Sequence, residues 1–177
     1  LRNARGGNQP NVVDVARDIQ AFGAQGITVH PRPDQRHITY NDVNELPAVI
    51  TTEFNVEGNP IPKFVDLVCK VKPTQVTLVP DAPDAITSNA GWDTIANRSF
   101  LQEVIQEFKQ HGIRTSIFLD PDVTQVEAAV ATGTDRIELY TESYAEQFSH
   151  NPEKAIAPFV AAATKAKEVG LGLNAGH

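Results

Sequence analysis

Short apolar, β-branched runs alternate along the chain with longer segments in which apolar residues recur at helical spacing. The short runs predict six β-strands, at residues 27–30, 54–57, 75–79, 114–119, 136–140 and 172–174. Each of these runs is bounded by glycine, proline or polar residues, which are typical of turns. The pattern therefore predicts an ordered succession of strands and helices.

The segments between these runs predict amphipathic helices with recognisable ends. Asn11 is an expected N-cap for a helix over 12–22, and Gly23 is its expected end. The same pattern predicts helices over 100–108, 123–130 and 152–169, each followed by a glycine. A further helical pattern, at 64–69, contains Cys69 on its apolar face.

Strands that alternate with helices argue for a parallel sheet covered by helices, of class α/β. Two layouts fit, a doubly wound open sheet and a closed (β/α)8 TIM barrel. The chain has no Gly-x-Gly-x-x-Gly turn and no Walker loop, which weakens the first layout. His30, Glu57 and Asp120 each end a predicted strand, and His177 follows the last one closely. In a barrel these strand ends meet on one face, where catalysis takes place, so the barrel is favoured.

Six strands fall short of the eight that a barrel needs, which usually take about 250 residues. The 177 residues begin with a loop-like segment and stop at a predicted strand end. We therefore expect residues 1–177 to be one barrel domain, truncated at both ends, that lacks the first strand and the last βα unit.

Composition limits the classes of partner. The net charge of −7 disfavours binding to nucleic acid or anionic membranes, and no apolar run is long enough to span a bilayer. The only cysteine, Cys69, excludes an intramolecular disulfide, favours a reducing cytosol and is interpreted as a structural thiol.

Lysines do not fall at the far ends of strands, which argues against a Schiff-base aldolase. Ligand-like spacing of His and acidic residues is missing, so we expect no metal and no cofactor.

The segment 30–37 concentrates two histidines and two arginines directly after a predicted strand: His30, Arg32, Arg36 and His37. Guanidinium groups bind phosphate through two parallel hydrogen bonds, and histidine adds a hydrogen bond or a proton. The segment is therefore interpreted as a site for a phosphorylated ligand. The alternative is a solvated basic turn, which is less favoured because His30 ends a strand expected to be buried.

Two glutamates fall within predicted strands. Burial of Glu57 would raise its pKa toward the range useful for acid–base catalysis, although an ion-paired structural role fits the residue equally well. Glu138 either points into the barrel, where it would orient another polar group, or pairs with an arginine outside. The first orientation is slightly favoured.

Two loops add candidate residues. His177 follows the small residues 174–176, which allow the backbone to approach a ligand. Thr87 lies in a long loop after the strand at 75–79, of the kind that covers phosphates. Trp92, in the same loop, is interpreted as its anchor.

Several separate segments resemble the pyridoxine 5'-phosphate synthase family, in order and with similar spacing over the whole chain. They are 1–6 (LRNARG), 26–32 (GITVHPR), 36–38 (RHI), 55–57 (NVE), 78–80 (LVP) and 174–177 (NAGH). The resemblance implies a cytosolic, homo-octameric (β/α)8 barrel. It also implies the condensation of 1-deoxy-D-xylulose 5-phosphate with 3-amino-2-oxopropyl phosphate to pyridoxine 5'-phosphate, phosphate and water.

By this resemblance, His30 and Glu57 are proton acceptors and His177 is a proton donor. The family's site for the deoxyxylulose phosphate matches Arg32, His37 and Thr87, and its site for the aminoketone phosphate matches Arg5. The family's polar strand-one motif would precede Leu1, and its Gly-His phosphate loop would follow His177. Tyr140 occupies a position where some members have histidine.

Two other functions share the phosphate-binding residues. One is a TIM-barrel isomerase or epimerase of phosphosugars, which needs no second substrate. The other is a non-catalytic barrel that binds a phosphorylated ligand, which has no need for Glu57 and His177 on one cavity.

Overall fold

A computed structural model describes residues 2–3, 7, 9–81 and 90–176. The strands are β1 (Gly26–Val29), β2 (Glu53–Gly58), β3 (Gln75–Leu78), β4 (Arg114–Leu119), β5 (Arg136–Tyr140) and β6 (Gly172–Gly176). The helices are α1 (Val12–Ala21), α2 (Tyr40–Glu45), α3 (Pro62–Val71), α4 (Arg98–Gln110), α5 (Val123–Ala129), α6 (Glu142–Phe148) and α7 (Pro152–Glu168). Two short 3₁₀ turns cover Leu46–Ala48 and Val130–Thr132.

The six strands form one parallel sheet, in which each strand pairs with the next along the chain. A doubly wound sheet would reverse the strand order at a switch point, whereas a barrel keeps it. Together with the helices between successive strands, this order is that of a (β/α)8 TIM barrel, of which the described residues supply six strands. The prediction of six strands and of the barrel is confirmed.

Residues at alternate strand positions fall into different surroundings. One set, which includes Val56, Val76, Ile117 and Ile137, is fully buried in the apolar core together with helix side chains such as Phe108. The other set is polar: Asn55, Glu57, Gln75, Thr77, Ser116 and Glu138 are all buried. Because successive strand residues point to opposite faces, the barrel has an apolar layer beneath its helices and a polar interior.

The predicted helix ends are largely those observed. The side chain of Asn11 accepts hydrogen bonds from the backbone N–H groups of Val13 (3.0 Å) and Asp14 (3.3 Å), as an N-cap does. Gly23 has φ 101°, which is strained for any residue with a side chain, and it follows the end of α1.

Helices α2 and α6 were not predicted. Helix α2 has six residues and is started by a capping box between Thr39 and Asp42. Helix α6 has seven residues and no buried side chain, so it lacks the buried apolar face by which a helix is recognised in a sequence. Within the described segments, no helix is long and apolar enough to cross a membrane.

Candidate active site

His30 and Arg32 lie at the carboxyl end of β1. His30 follows the last residue of this strand, and its side chain is 17% exposed, against 13% for Arg32. The loop turns tightly here, because the Arg32 N–H donates to the His30 carbonyl (3.0 Å) and the Gln35 N–H donates to that of Arg32 (2.8 Å). The two side chains are therefore held close together at the rim of the barrel.

The other basic residues of the segment 30–37 have different surroundings. The Arg36 guanidinium pairs with Asp34 (Nε–Oδ2 2.6 Å), and His37 is exposed. The more distant Arg2 forms two hydrogen bonds with the buried carboxylate of Asp42, at 2.6 and 3.0 Å. Burial opposes ionisation of Asp42, but hydrogen bonds from Arg2 and Thr39 outweigh it and lower its pKa. Arg2 is thus part of the fold, and it ties the first residues to α2.

Glu57 lies in β2 with its side chain 8% exposed. One carboxylate oxygen, Oε2, is 3.9 Å from His30 Nδ1, and the other accepts a hydrogen bond from Asn55 Nδ2 (3.4 Å). The separation from the imidazole is longer than a hydrogen bond, yet catalytic contacts often tighten only when substrate is bound. The structure thus brings together His30, Glu57 and Arg32, three of the residues singled out from the sequence.

Asp81 is a site residue that the sequence analysis missed. Its Oδ2 atom lies 3.1 Å from Arg32 Nη1 and 3.7 Å from His30 Nε2, and its side chain is 4% exposed. A signal was available, because Asp81 follows the strand segment 75–79 after a single proline, much as His30 follows β1. His30 is consequently placed between two carboxylates, those of Glu57 and Asp81.

Glu138 faces the same interior space as Glu57. Both line a cavity of ≈ 400 Å³ together with Thr28, Asn55, Asn174, Ala175 and Gly176. A Cβ atom added to Gly176 would lie 2.6 Å from Glu138 Oε1, so the glycine leaves the space that this carboxylate occupies. Of the two predicted orientations of Glu138, the one toward the barrel interior is observed.

Three residues singled out from the sequence, Arg5, Thr87 and His177, lie outside the described residues. Trp92 has the contacts of an anchor: its indole N–H donates to the Leu78 carbonyl (3.0 Å) and its backbone N–H to that of Phe118 (2.9 Å).

Tyr140 closes β5 beside the site. Its ring packs against Phe118 with the centroids 5.1 Å apart, and its hydroxyl donates a hydrogen bond to Glu142. This hydrogen bond, together with burial, raises the pKa of Tyr140 to about 12. The phenol is therefore un-ionised near neutral pH and is unsuited to act as a general base.

One group of potential metal ligands occurs in the described part of the chain, and it lies on the helices rather than at the strand ends. Cys69 of α3 and Glu107 of α4, with His111 just after α4, have ligand atoms within 4.8 Å of one another. Burial, with a contribution from Glu107, raises the pKa of the Cys69 thiol, which disfavours the thiolate that a metal would bind.

Comparisons with known proteins agree with the geometry. The model of the family described as pyridoxal phosphate biosynthesis protein PdxJ matches residues 1–177. A protein named pyridoxine 5'-phosphate synthase from Phocaeicola vulgatus is 65% identical over 100% of this chain and 74% of its own length. Its counterparts in Parabacteroides distasonis and Flavobacterium johnsoniae are 64% and 62% identical, over 74% and 75% of their lengths.

The solved structures add evidence for the fold alone. Mandelate oxidase in complex with benzoyl-formic acid superposes with a TM-score of 0.63 at 10% sequence identity, over 91% of this chain and 56% of that one. A flavocytochrome b2 variant with sulfite bound gives a TM-score of 0.59 at 15% identity, over 90% and 47% of the two chains. Such low identities carry no information on chemistry.

Proposed function

The chain belongs to the PdxJ family of pyridoxal phosphate biosynthesis proteins, and from this membership we propose how it forms pyridoxine 5'-phosphate. Its relatives over the full 177 residues are named as synthases of this compound. The proposed substrates are 1-deoxy-D-xylulose 5-phosphate and 3-amino-2-oxopropyl phosphate, and the products are pyridoxine 5'-phosphate, inorganic phosphate and water. Family membership favours this function over a phosphosugar isomerase and over a non-catalytic barrel.

The observation that carries the proposal is the proximity of an imidazole, two buried carboxylates and a guanidinium at the carboxyl end of the barrel. His30 lies 3.9 Å from Glu57 and 3.7 Å from Asp81, and Arg32 lies 3.1 Å from Asp81. Active sites of TIM barrels are built at this face. Acid–base groups beside a cation suit a reaction in which protons move on a phosphorylated substrate.

The condensation requires several proton transfers but no nucleophile from the protein. The amine of the aminoketone forms an imine with the ketone of the sugar phosphate, and loss of phosphate, dehydration and ring closure follow. We assign proton abstraction to His30 and Glu57 and proton donation to His177. Glu138 has a supporting role, because its carboxylate lines the same cavity as Glu57.

Two phosphorylated substrates need two anion sites. We assign the phosphate of the deoxyxylulose substrate to Arg32, His37 and Thr87. The phosphate of the aminoketone is assigned to Arg5. Support for the first site is the position of Arg32, which lies beside His30 at the rim of the barrel, and the exposure of His37 in the same loop. Guanidinium groups bind phosphate with two charge-assisted hydrogen bonds.

The assembly and location of the protein are further proposals. Family resemblance supports a homo-octamer in the cytoplasm, and a sequence with one cysteine suits a reducing compartment. We also propose that residues 1–177 belong to one barrel domain, which the single sheet of six strands supports. Analytical ultracentrifugation of the purified protein tests the octamer.

The function is tested by mixing the purified protein with 1-deoxy-D-xylulose 5-phosphate and freshly generated 3-amino-2-oxopropyl phosphate. Formation of pyridoxine 5'-phosphate is followed by its fluorescence. Product that requires both substrates is the expected result. Conversion of the sugar phosphate alone would instead indicate an isomerase. A folded protein that binds both phosphates and makes no product would overturn the proposal.

A further inference from the structure

We propose that Asp81 is a positioning residue that holds His30 and Arg32 in one fixed arrangement, so that proton transfer and phosphate binding share a single buried carboxylate. The inference rests on the proposed function, because it assigns to Asp81 a part in that same site. Among the residues singled out from the sequence, Asp81 was not included.

The burial of Asp81 is the first argument. Its side chain is 4% exposed, and a carboxylate removed from water is costly unless charged or polar partners compensate it. Arg32 is such a partner, and its Nη1 lies 3.1 Å from Oδ2. The imidazole of His30 approaches the same oxygen, at 3.7 Å from Nε2. A single oxygen atom thus faces both the acid–base group and the phosphate-binding group.

The backbone around Asp81 is fixed, which is the second argument. The carbonyl of Asp81 accepts a hydrogen bond from the side chain of Asn59, which lies just beyond β2. Two residues earlier, the Val79 N–H donates to the Gly58 carbonyl (3.0 Å), and the Leu78 carbonyl accepts from the Trp92 indole (3.0 Å). The carboxylate is therefore placed by β2 and β3, whereas His30 and Arg32 come from the loop after β1. Asp81 ties that loop to the rigid sheet.

The arrangement of the imidazole is the third argument. Nδ1 of His30 faces Glu57 at 3.9 Å and Nε2 faces Asp81 at 3.7 Å, so the ring lies between two acids and next to the guanidinium of Arg32. A carboxylate on one nitrogen fixes the orientation and tautomer of a histidine that transfers protons at the other. Asp81, 3.7 Å from Nε2, is placed to orient the ring in this way once the contact shortens with substrate bound, and the second nitrogen faces Glu57.

A coupling between the two substrate-directed groups follows. Arg32 partly neutralises Oδ2 of Asp81. When a substrate phosphate binds the Arg32 guanidinium, the contact between Arg32 and Asp81 weakens. The negative charge of the Asp81 carboxylate then acts more strongly on His30. Since a neighbouring negative charge favours the protonated imidazole, arrival of the phosphate makes His30 a stronger base.

The test uses three variants of the purified protein: Asp81→Asn, which keeps the shape and removes the charge; Asp81→Glu, which restores the charge; and Asp66→Asn, a control on the exposed face of α3. We measure kcat and KM for both substrates across pH, binding of inorganic phosphate by calorimetry, and thermal unfolding. Wild-type enzyme that makes no product would mean that the proposed function has failed, which is separate from any result on Asp81.

With an active wild type, we expect Asp81→Asn to lower kcat/KM for the sugar phosphate by at least about tenfold. The acidic limb of its pH profile is expected to move to lower pH, because an imidazole that loses a neighbouring carboxylate is a weaker base. Asp81→Glu is expected to restore most of the activity, and Asp66→Asn is expected to match the wild type.

Two results would overturn the proposal. One is an Asp81→Asn enzyme with wild-type kcat, KM and pH profile. The other is an equal loss of activity in Asp81→Asn and Asp81→Glu that parallels a fall in melting temperature, while the pH profile stays unchanged. That pattern would assign Asp81 a purely structural role.

Discussion

The two ends of the parallel strands both carry charged side chains, but the kinds of group differ between them. At the amino ends, Arg114 donates to Gln75 Oε1 (2.8 Å) and to Glu53 Oε1 (3.2 Å), and Arg136 donates to Asn174 Oδ1 (2.7 Å). At the carboxyl ends, His30 is 3.7 to 3.9 Å from its two carboxylates. The first set consists of arginines hydrogen-bonded to polar or acidic side chains, whereas the second places a histidine beside two buried carboxylates.

This difference indicates a division of roles. The hydrogen bond from Arg114 lowers the pKa of Glu53, and the same contact raises the pKa of Arg114, so both groups are held in their charged forms. Groups locked in this way stabilise a fold but cannot exchange protons near neutral pH. At the carboxyl ends the groups are a histidine and buried carboxylates, to which we assign the proton transfers of the reaction. Changes at the two ends should therefore affect different measurements.

The largest effect is expected for Glu57→Gln. The amide keeps the shape of the side chain but cannot accept a proton, so kcat should fall by about 10³-fold. Phosphate binding should change little, because the phosphate is assigned to Arg32, whose guanidinium pairs with Asp81, and the isosteric amide should leave the melting temperature nearly unchanged. Steady-state kinetics, calorimetry with inorganic phosphate and thermal unfolding provide the measurements. Glu103→Gln, on the exposed surface of α4, is the matched control. Normal turnover in Glu57→Gln would refute the role as proton acceptor.

A smaller effect is expected for Arg32→Lys, which keeps the charge next to Asp81 and loses the two-pronged geometry of the guanidinium. Lysine cannot bind phosphate through two parallel hydrogen bonds, so KM for the sugar phosphate should rise by about tenfold while kcat changes less. Arg17→Lys is the control, because Arg17 is exposed on the surface of α1, where it pairs with Asp14, and its replacement should leave KM unchanged. An unchanged KM would place the phosphate elsewhere.

The sequence predicted the architecture well because strand and helix periodicity is a local property. All six strands and the helices α1, α3, α4, α5 and α7 follow from apolar spacing and from glycine or asparagine at their ends. Helix α2 has only six residues, and α6, which is as short as α5, lacks the buried apolar side chains that made α5 recognisable. A capping box sets the start of α2, whereas α6 is placed by packing of Tyr144 against Phe159 of α7.

The candidate site was predicted only in part, because a local stretch of sequence does not show which residues of different strands lie close together. His30 and Glu57 were found from their positions at strand ends, and the structure brings them to 3.9 Å. Asp81 was missed although it closely follows a strand, since the proline before it made it resemble an ordinary loop residue, and only the structure shows Arg32 and His30 beside it. The ion pair of Arg2 with the buried Asp42 was not predicted either, because it joins residues that lie 40 positions apart in the chain.

A modest loss of activity is expected for Gly176→Ala, again at the carboxyl ends. The added Cβ would lie 2.6 Å from Glu138 Oε1, so the carboxylate must shift within the cavity that it shares with Glu57. We expect kcat to fall by roughly threefold to tenfold, since groups that orient a catalytic site act through small displacements. Gly26→Ala, at the amino end of β1, is the control, because the nearest atom to an added Cβ there is the Glu53 carbonyl oxygen at 3.4 Å, an ordinary contact. Equal kinetics for the two variants would argue against a supporting role for Glu138.

The smallest effect is expected at the amino ends, for Glu53→Gln, and it should appear in stability rather than activity. The pKa of Glu53 is lowered by its hydrogen bond from Arg114, so its contribution is fully present above the unfolded value of about 4.3 and is lost as the pH falls through the lower folded value. The side chain is 56% exposed, and solvent screening limits the contribution to about 0.5 kcal/mol. Urea unfolding of wild type and variant should therefore differ by this amount near neutral pH and converge in acid, with kcat unchanged throughout. A fall in kcat, or a difference in stability that persists in acid, would show that the groups at the amino ends are not limited to a structural role.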